Sequence, residues 1–146
     1  MNTLRIARVK VLKPSFTVEI TWTTGNSDRI NLSSSIQARR GLAALRELTT
    51  FRKVVVGEGG HSLTWPGELD MGADRLHELA LEQAGHAEAV SLTRWRQRHE
   101  LTLQAGAEAL GISRRMLSYY ESGARPVPKS ITLACIGWES IQTKAA

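Results

Sequence analysis

The stretch Leu101-Thr102-Leu103-Gln104-Ala105-Gly106-Ala107-Glu108-Ala109-Leu110-Gly111-Ile112-Ser113-Arg114-Arg115-Met116-Leu117-Ser118-Tyr119-Tyr120-Glu121-Ser122-Gly123 decides how the second half of this chain folds. Thr102 stands where a helix N-cap is expected, and Gly111 where a left-handed C-terminal residue closes that helix at Leu110. Ser113 then offers a second cap, for a helix over Arg114 to Glu121 stopped by Ser122-Gly123. Two short helices joined by about three residues can cross closely if the crossing residue is small, and Ala107 is. Leu110, Ile112 and Leu117 are spaced to fill the wedge between them. The second helix is thereby pushed outward, headed by two arginines.

Working outward, Ser91 is a candidate N-cap for a preceding helix running to about Glu100. Pro126-Val127-Pro128 reads as a rigid connector, and Ser130 as the cap of a last helix. On that helix Ile131, Ala134, Cys135, Trp138 and Ile141 are expected to share one apolar face.

Before Gly85 the pattern changes to strands. Ala7, Val9 and Val11 alternate with Arg8 and Lys10, and Val18, Ile20 and Trp22 alternate with polar neighbours, the period of a half-buried strand. Thr24-Gly25-Asn26-Ser27 supplies turn chemistry before Arg29-Ile30-Asn31-Leu32 resumes the alternation. Leu42, Leu45 and Leu48 are at helical spacing. A second hairpin is expected from Phe51 to Val56, turning at Gly57-Glu58-Gly59-Gly60 and returning through His61 to Trp65, with Pro66-Gly67 as its stop. A helix opening near Asp74 carries Leu76, Leu79 and Ala80 on one side. The fold class expected is α+β for residues 1–85, two β-hairpins plus short helices, followed by an all-α unit over 86–146.

The chain has 146 residues and a formal net charge of +5. Eleven Lys/Arg stand against nine Asp/Glu up to Gly85, and eight against five from His86 onward. Six of those eight are arginines: Arg94, Arg96, Arg98, Arg114, Arg115 and Arg125. Clustered cations suit a polyanion. No apolar run approaches the roughly 20 residues that span a bilayer, and the start lacks the apolar core of a secretory signal. The single cysteine, Cys135, fits a reducing cytoplasm.

On Ala107, Leu110-Gly111-Ile112-Ser113, Leu117-Ser118 and Glu121-x-Gly123, the C-terminal third resembles the λ-repressor-like helix-turn-helix family, in its xenobiotic-response-element branch. The resemblance spans about residues 91 to 138. It implies a sequence-specific regulator of transcription, a repressor acting as a dimer on double-stranded DNA. It also implies that Arg114, Arg115 and Tyr119 face base edges with Ser118 alongside, and that Ser113, Gln104 and Arg125 lie near phosphate. Arginine suits base reading because its fork can donate twice to guanine. An arginine of the first helix and the glutamate closing the recognition helix, here Arg96 and Glu121, form a structural ion pair in this family. Two positions depart from its pattern: Gly106, where a large apolar residue is usual, and Leu103, where a polar one is.

Phe51-x-x-Val54, Leu63-x-Trp65-Pro66 and Leu69-Asp70 resemble a small uncharacterised bacterial α+β domain family with a Trp-Pro signature. Its members occur alone or fused to a helix-turn-helix, some in toxin–antitoxin gene pairs. That implies a dimerisation, effector or partner-binding module. The alternative function is then an antitoxin that binds a toxin through this domain and its own promoter through the other.

Rival chemistries fit poorly. Gly57-Glu58-Gly59-Gly60 lacks the Lys-Ser/Thr and following helix of a phosphate loop. His61, His77, His86 and His99 have no familiar zinc spacing, with one another or with Cys135. Asp70 and Asp74, four apart, read as caps or helix-dipole partners. Cys135 and the four tryptophans read as core. No nucleophile, base and oxyanion donor assemble, so neither an enzyme nor a cofactor is expected.

Overall fold

The computed structural model describes residues 4–13 and 15–145. It divides into two compact units, Met1–Ala80 and Leu81–Ala146, so the division falls five residues before Gly85, within the last turns of a helix.

The first unit contains two three-stranded antiparallel sheets. In one, β1 (Ile6–Leu12) pairs with β2 (Thr17–Trp22), which pairs with β3 (Ser27–Asn31). Alternation along β2 sends Val18, Ile20 and Trp22 inward. In β1 a register irregularity between Ile6 and Arg8 leaves Ile6 buried and Ala7 exposed, so the inward face begins one residue earlier than the alternation of Ala7, Val9 and Val11 suggests.

Between the sheets come α1 (Ser33–Ala38), a 3-10 helix over Arg40–Arg46, and α2 (Leu48–Phe51). Ile36, Leu42, Leu45 and Phe51 anchor this run in the core. Here the hairpin expected from Phe51 is corrected. Phe51 ends a helix, and the first strand of the second sheet is only β4 (Val55–Val56). A short apolar run reads equally as strand or helix, and burial of Phe51 against Trp65 favours the helix.

β4 pairs with β5 (Ser62–Trp65), and β5 with β6 (Leu69–Gly72), a third strand that the expected two-hairpin plan lacks. Pro66-Gly67 is therefore not a stop but the turn between β5 and β6. Asp70 lies in that strand and Asp74 in a helix, so the two carboxylates share no helix face. Gly60 lies where the turn meets β1: a Cβ there would sit 2.5 Å from the Ile6 carbonyl oxygen, so only glycine fits. Both tryptophans satisfy their N–H groups, Trp22 on the Asp28 carboxylate at 2.6 Å and Trp65 on the Phe51 carbonyl at 3.0 Å. The helix α3 (Ala73–Gln83) places Leu76, Leu79 and Ala80 inward.

The second unit is helical: α4 (Ala87–Arg98), α5 (Leu103–Leu110), α6 (Arg114–Ser122) and α7 (Lys129–Ala145). Leu92, Trp95, Ala107, Leu117, Ile131 and Cys135 form its core. Two expected caps are displaced. α4 starts four residues before Ser91, after the left-handed Gly85, and α7 starts at Lys129, with Pro128 accepting from Ile131 and not Ser130 capping. Ile141 is 64% exposed and so leaves the inward face assigned to it. Among the described residues no helix is long and apolar enough to cross a membrane.

Candidate nucleic-acid interface

Local chemistry places α5 and α6. The Thr102 hydroxyl accepts from the Ala105 N–H at 3.1 Å, and Ser113 accepts from Met116 N–H at 3.1 Å. Each cap satisfies one otherwise orphaned donor and stabilises its helix by about 1 kcal/mol. Gly111 adopts φ +71°, which an L side chain resists, and lets the chain reverse between the helices.

Packing then fixes their crossing. Gly106 and Ala107 are both buried at the contact, opposite Leu117. A Cβ on Gly106 would lie 3.1 Å from Arg96 Cδ and 3.2 Å from Leu117 Cδ2. The large apolar residue usual in the resembled family has no room here, because the stem of Arg96 occupies that space. Leu103 turns toward the unit's core, which accounts for an apolar residue where a polar one is usual.

Arg96 is the clamp. Its Nε and Nη2 donate to the Glu121 carboxylate at 2.7 and 2.9 Å, and its Nη1 donates to the Leu101 carbonyl at 3.0 Å. One guanidinium thus ties α4 to the end of α6 and to the turn before α5. The hydrogen bonds to Glu121 hold the Arg96 pKa above its ordinary value. Farther along, the Glu139 carboxylate takes Arg98 and His99, fastening α4 to α7. Those bonds, from Arg98 first, hold the Glu139 carboxyl below its ordinary range.

With the scaffold set, the outward side of α6 exposes Ser113, Arg114, Arg115 and Ser118, with Tyr119 half-buried beside them. Arg115 Nε donates to the Tyr119 hydroxyl at 2.7 Å. The guanidinium carbons of Arg115 and Arg125 lie 5.5 and 5.3 Å from the Tyr119 ring centre, a distance at which a cation is attracted to the ring face. Tyr119 is thereby oriented by two arginines, a relation visible in sequence for Arg115, four residues away, but not for Arg125 beyond the helix end. Arg114 has no hydrogen-bond or ion-pair partner among the described residues. Gln104 is exposed on α5, its amide donating to Glu108 at 3.1 Å. The structure therefore gathers Ser113, Arg114, Arg115, Ser118, Tyr119 and Arg125 about one helix, with Gln104 at the neighbouring helix start.

Residues 92–134 match the family model described as "Helix-turn-helix". The chain is also similar to a solved structure, the "Putative DNA Binding Protein NE0471" from Nitrosomonas europaea ATCC 19718. Identity is 34%, the match covers 95% of this chain and 90% of that one, and the TM-score is 0.71. The chain belongs to that protein's family. The likeness takes in the sheet-rich half as well as the helix-turn-helix. No curated protein matches the chain.

Cys135 and the histidines fall outside this surface. Burial, with the nearby Glu139 charge, pushes the Cys135 thiol up to about 11, which keeps it protonated and a poor nucleophile. Among the described residues no group of three or more His, Cys, Asp or Glu could hold a metal ion.

Proposed function

We propose that the protein is a sequence-specific DNA-binding regulator of transcription, which acts as a homodimeric repressor. One observation carries this: an exposed helix headed by Arg114 and Arg115 is held out from its neighbours by a close α5–α6 crossing and the Arg96–Glu121 clamp. The match of residues 92–134 to a helix-turn-helix family, and the DNA-binding description of the Nitrosomonas protein, support it.

In this mechanism α6 enters the major groove. Arg114 and Arg115 donate to guanine edges, while Ser118 and Tyr119 make the adjoining contacts. Ser113, the N-terminus of α6, Gln104 and Arg125 meet phosphates and set register. A single helix reads only a few base pairs, so two copies on half-sites about one helical turn apart supply the specificity. Genomic fragments selected by the purified protein give the operator, and a gel-shift titration on that operator is the test. Arg114→Ala is expected to lose about 1–3 kcal/mol, with relaxed preference at the base pairs it reads. Wild-type affinity and specificity in that variant would refute the base-reading role.

A further inference from the structure

The first unit carries a charged surface that the helix-turn-helix does not explain. Between residues 39 and 53 stand Arg39, Arg40, Arg46, Arg52 and Lys53, against one acid, Glu47. All five cations are exposed. Among and before them Ile36, Leu42, Leu45 and Phe51 are buried and Leu48 is half-buried, so the cations stand on a backbone anchored to the core at four points. Arg46 folds back so that its Nη2 donates to the Gln37 carbonyl at 3.3 Å. That brings its guanidinium to the end of α1, where Arg39 and Arg40 begin the next turn. None of the five has an ion-pair partner among the described residues, whereas Arg29 and Arg75 of the same unit pair with Glu19 and Glu78.

Five unneutralised cations on a short, fixed segment repel one another and are stabilised by an anion that spans them. We infer that this segment is a second DNA contact, which grips the phosphates of a duplex without reading its sequence. It rests on the DNA-binding function proposed above and assigns a polyanion-binding role to the unit that lacks the helix-turn-helix. Four of the five side chains are arginines, whose planar fork matches phosphate oxygens. A duplex is favoured over a single strand because the segment exposes no aromatic ring on which a base could stack; its one aromatic residue, Phe51, is buried. A lipid surface lacks the apolar anchor it would want here, since Leu42, Leu45 and Phe51 all point inward.

The test is the salt dependence of affinity, measured by fluorescence anisotropy with the full chain on a selected operator and on an unrelated duplex of equal length. Each phosphate contact contributes about 0.9 to the slope of log K against log salt. The triple variant Arg39→Ala/Arg40→Ala/Arg46→Ala is expected to flatten that slope by about 2–3 on both duplexes. Between 50 and 200 mM salt the wild type then loses about 40-fold more affinity than the variant. A control triple variant, Arg5→Ala/Arg8→Ala/Lys10→Ala, removes the same charge from exposed positions elsewhere in the unit and is expected to leave the slope within about 1 of wild type. Circular dichroism checks that both variants fold. An unchanged slope in the first triple variant overturns the inference, as does an equal fall in the control, which would reduce the effect to net charge. Loss of binding to phosphatidylserine vesicles with the DNA slope unchanged would also overturn it, in favour of a lipid surface. These results are distinguishable from failure of the helix-turn-helix itself, in which the wild type shows no preference for the operator and Arg114→Ala changes nothing.

Discussion

Removing Glu121 should expose how much of the second unit's stability passes through one guanidinium. Glu121→Ala deletes two charge-assisted bonds, at 2.7 and 2.9 Å, from an Arg96 whose side chain is only 18% exposed. Leaving a fully buried charge without its partner costs about 3–5 kcal/mol. Here the pair is not fully buried, and Arg96 keeps the Leu101 carbonyl, so about 2–3 kcal/mol is expected. For a unit of this size that is a fall of roughly 10–20 °C in melting temperature. Urea unfolding followed by far-ultraviolet circular dichroism measures it, with Glu121→Leu, Arg96→Met and their double variant closing a cycle. The double variant should recover most of the loss, because two apolar side chains leave no stranded charge. DNA affinity should fall in the single variant at temperatures where it is still folded, since the end of α6 loses its tether. A single variant within about 0.5 kcal/mol of wild type, or a strictly additive cycle, would refute the clamp.

Three further expectations follow from the same geometry. Gly106→Ala would gain about 1 kcal/mol of helix propensity, yet its Cβ meets Arg96 and Leu117 at 3.1 and 3.2 Å. With Arg96 pinned, a net destabilisation of about 1 kcal/mol is expected. In an Arg96→Ala background the sign should reverse, and denaturation of both backgrounds decides it. Burial against Trp22 lowers the His77 pKa, outweighing Asp28 and the other carboxylates that raise it. Because the unfolded chain then binds the proton more readily, its contribution to stability is present above the ordinary His value of about 6.5 and lost as pH falls toward the folded value. Melting of the first unit should weaken over that window, and His77→Phe should flatten the dependence. Cys135, with its thiol pushed up to about 11, should resist iodoacetamide at pH 8 until the second unit unfolds; prompt labelling of the native protein would contradict its burial.

Legibility in the sequence tracked how local the deciding interaction is. Thr102, Gly111 and Ser113 could be placed because a cap bonds within three residues of itself and a left-handed residue needs only its own backbone. The alternation of β2 was equally plain, since each residue's face depends on its neighbours alone. The segment from Phe51 to Val56 is ambiguous in sequence because one aromatic residue, two cations and three valines in a row satisfy neither period cleanly, and the arbiter for Phe51 is the Trp65 indole fourteen residues away. Likewise β6 is four residues long and exists only because β5 offers it a partner.

Amino-acid order by itself determined the two-part organisation, the helix boundaries of α5 and α6, and the outward arginines of the second helix, because periodicity, caps and turns act over one or two helical turns. Tertiary structure alone decided why Gly106 replaces a larger residue, which way Arg125 and Tyr119 face each other, where Ile141 points, and how the cations from Arg39 to Lys53 are presented. Each of those depends on atoms that are distant in the chain and near in space, and packing density, which sets what fits between them, is a property of the folded core.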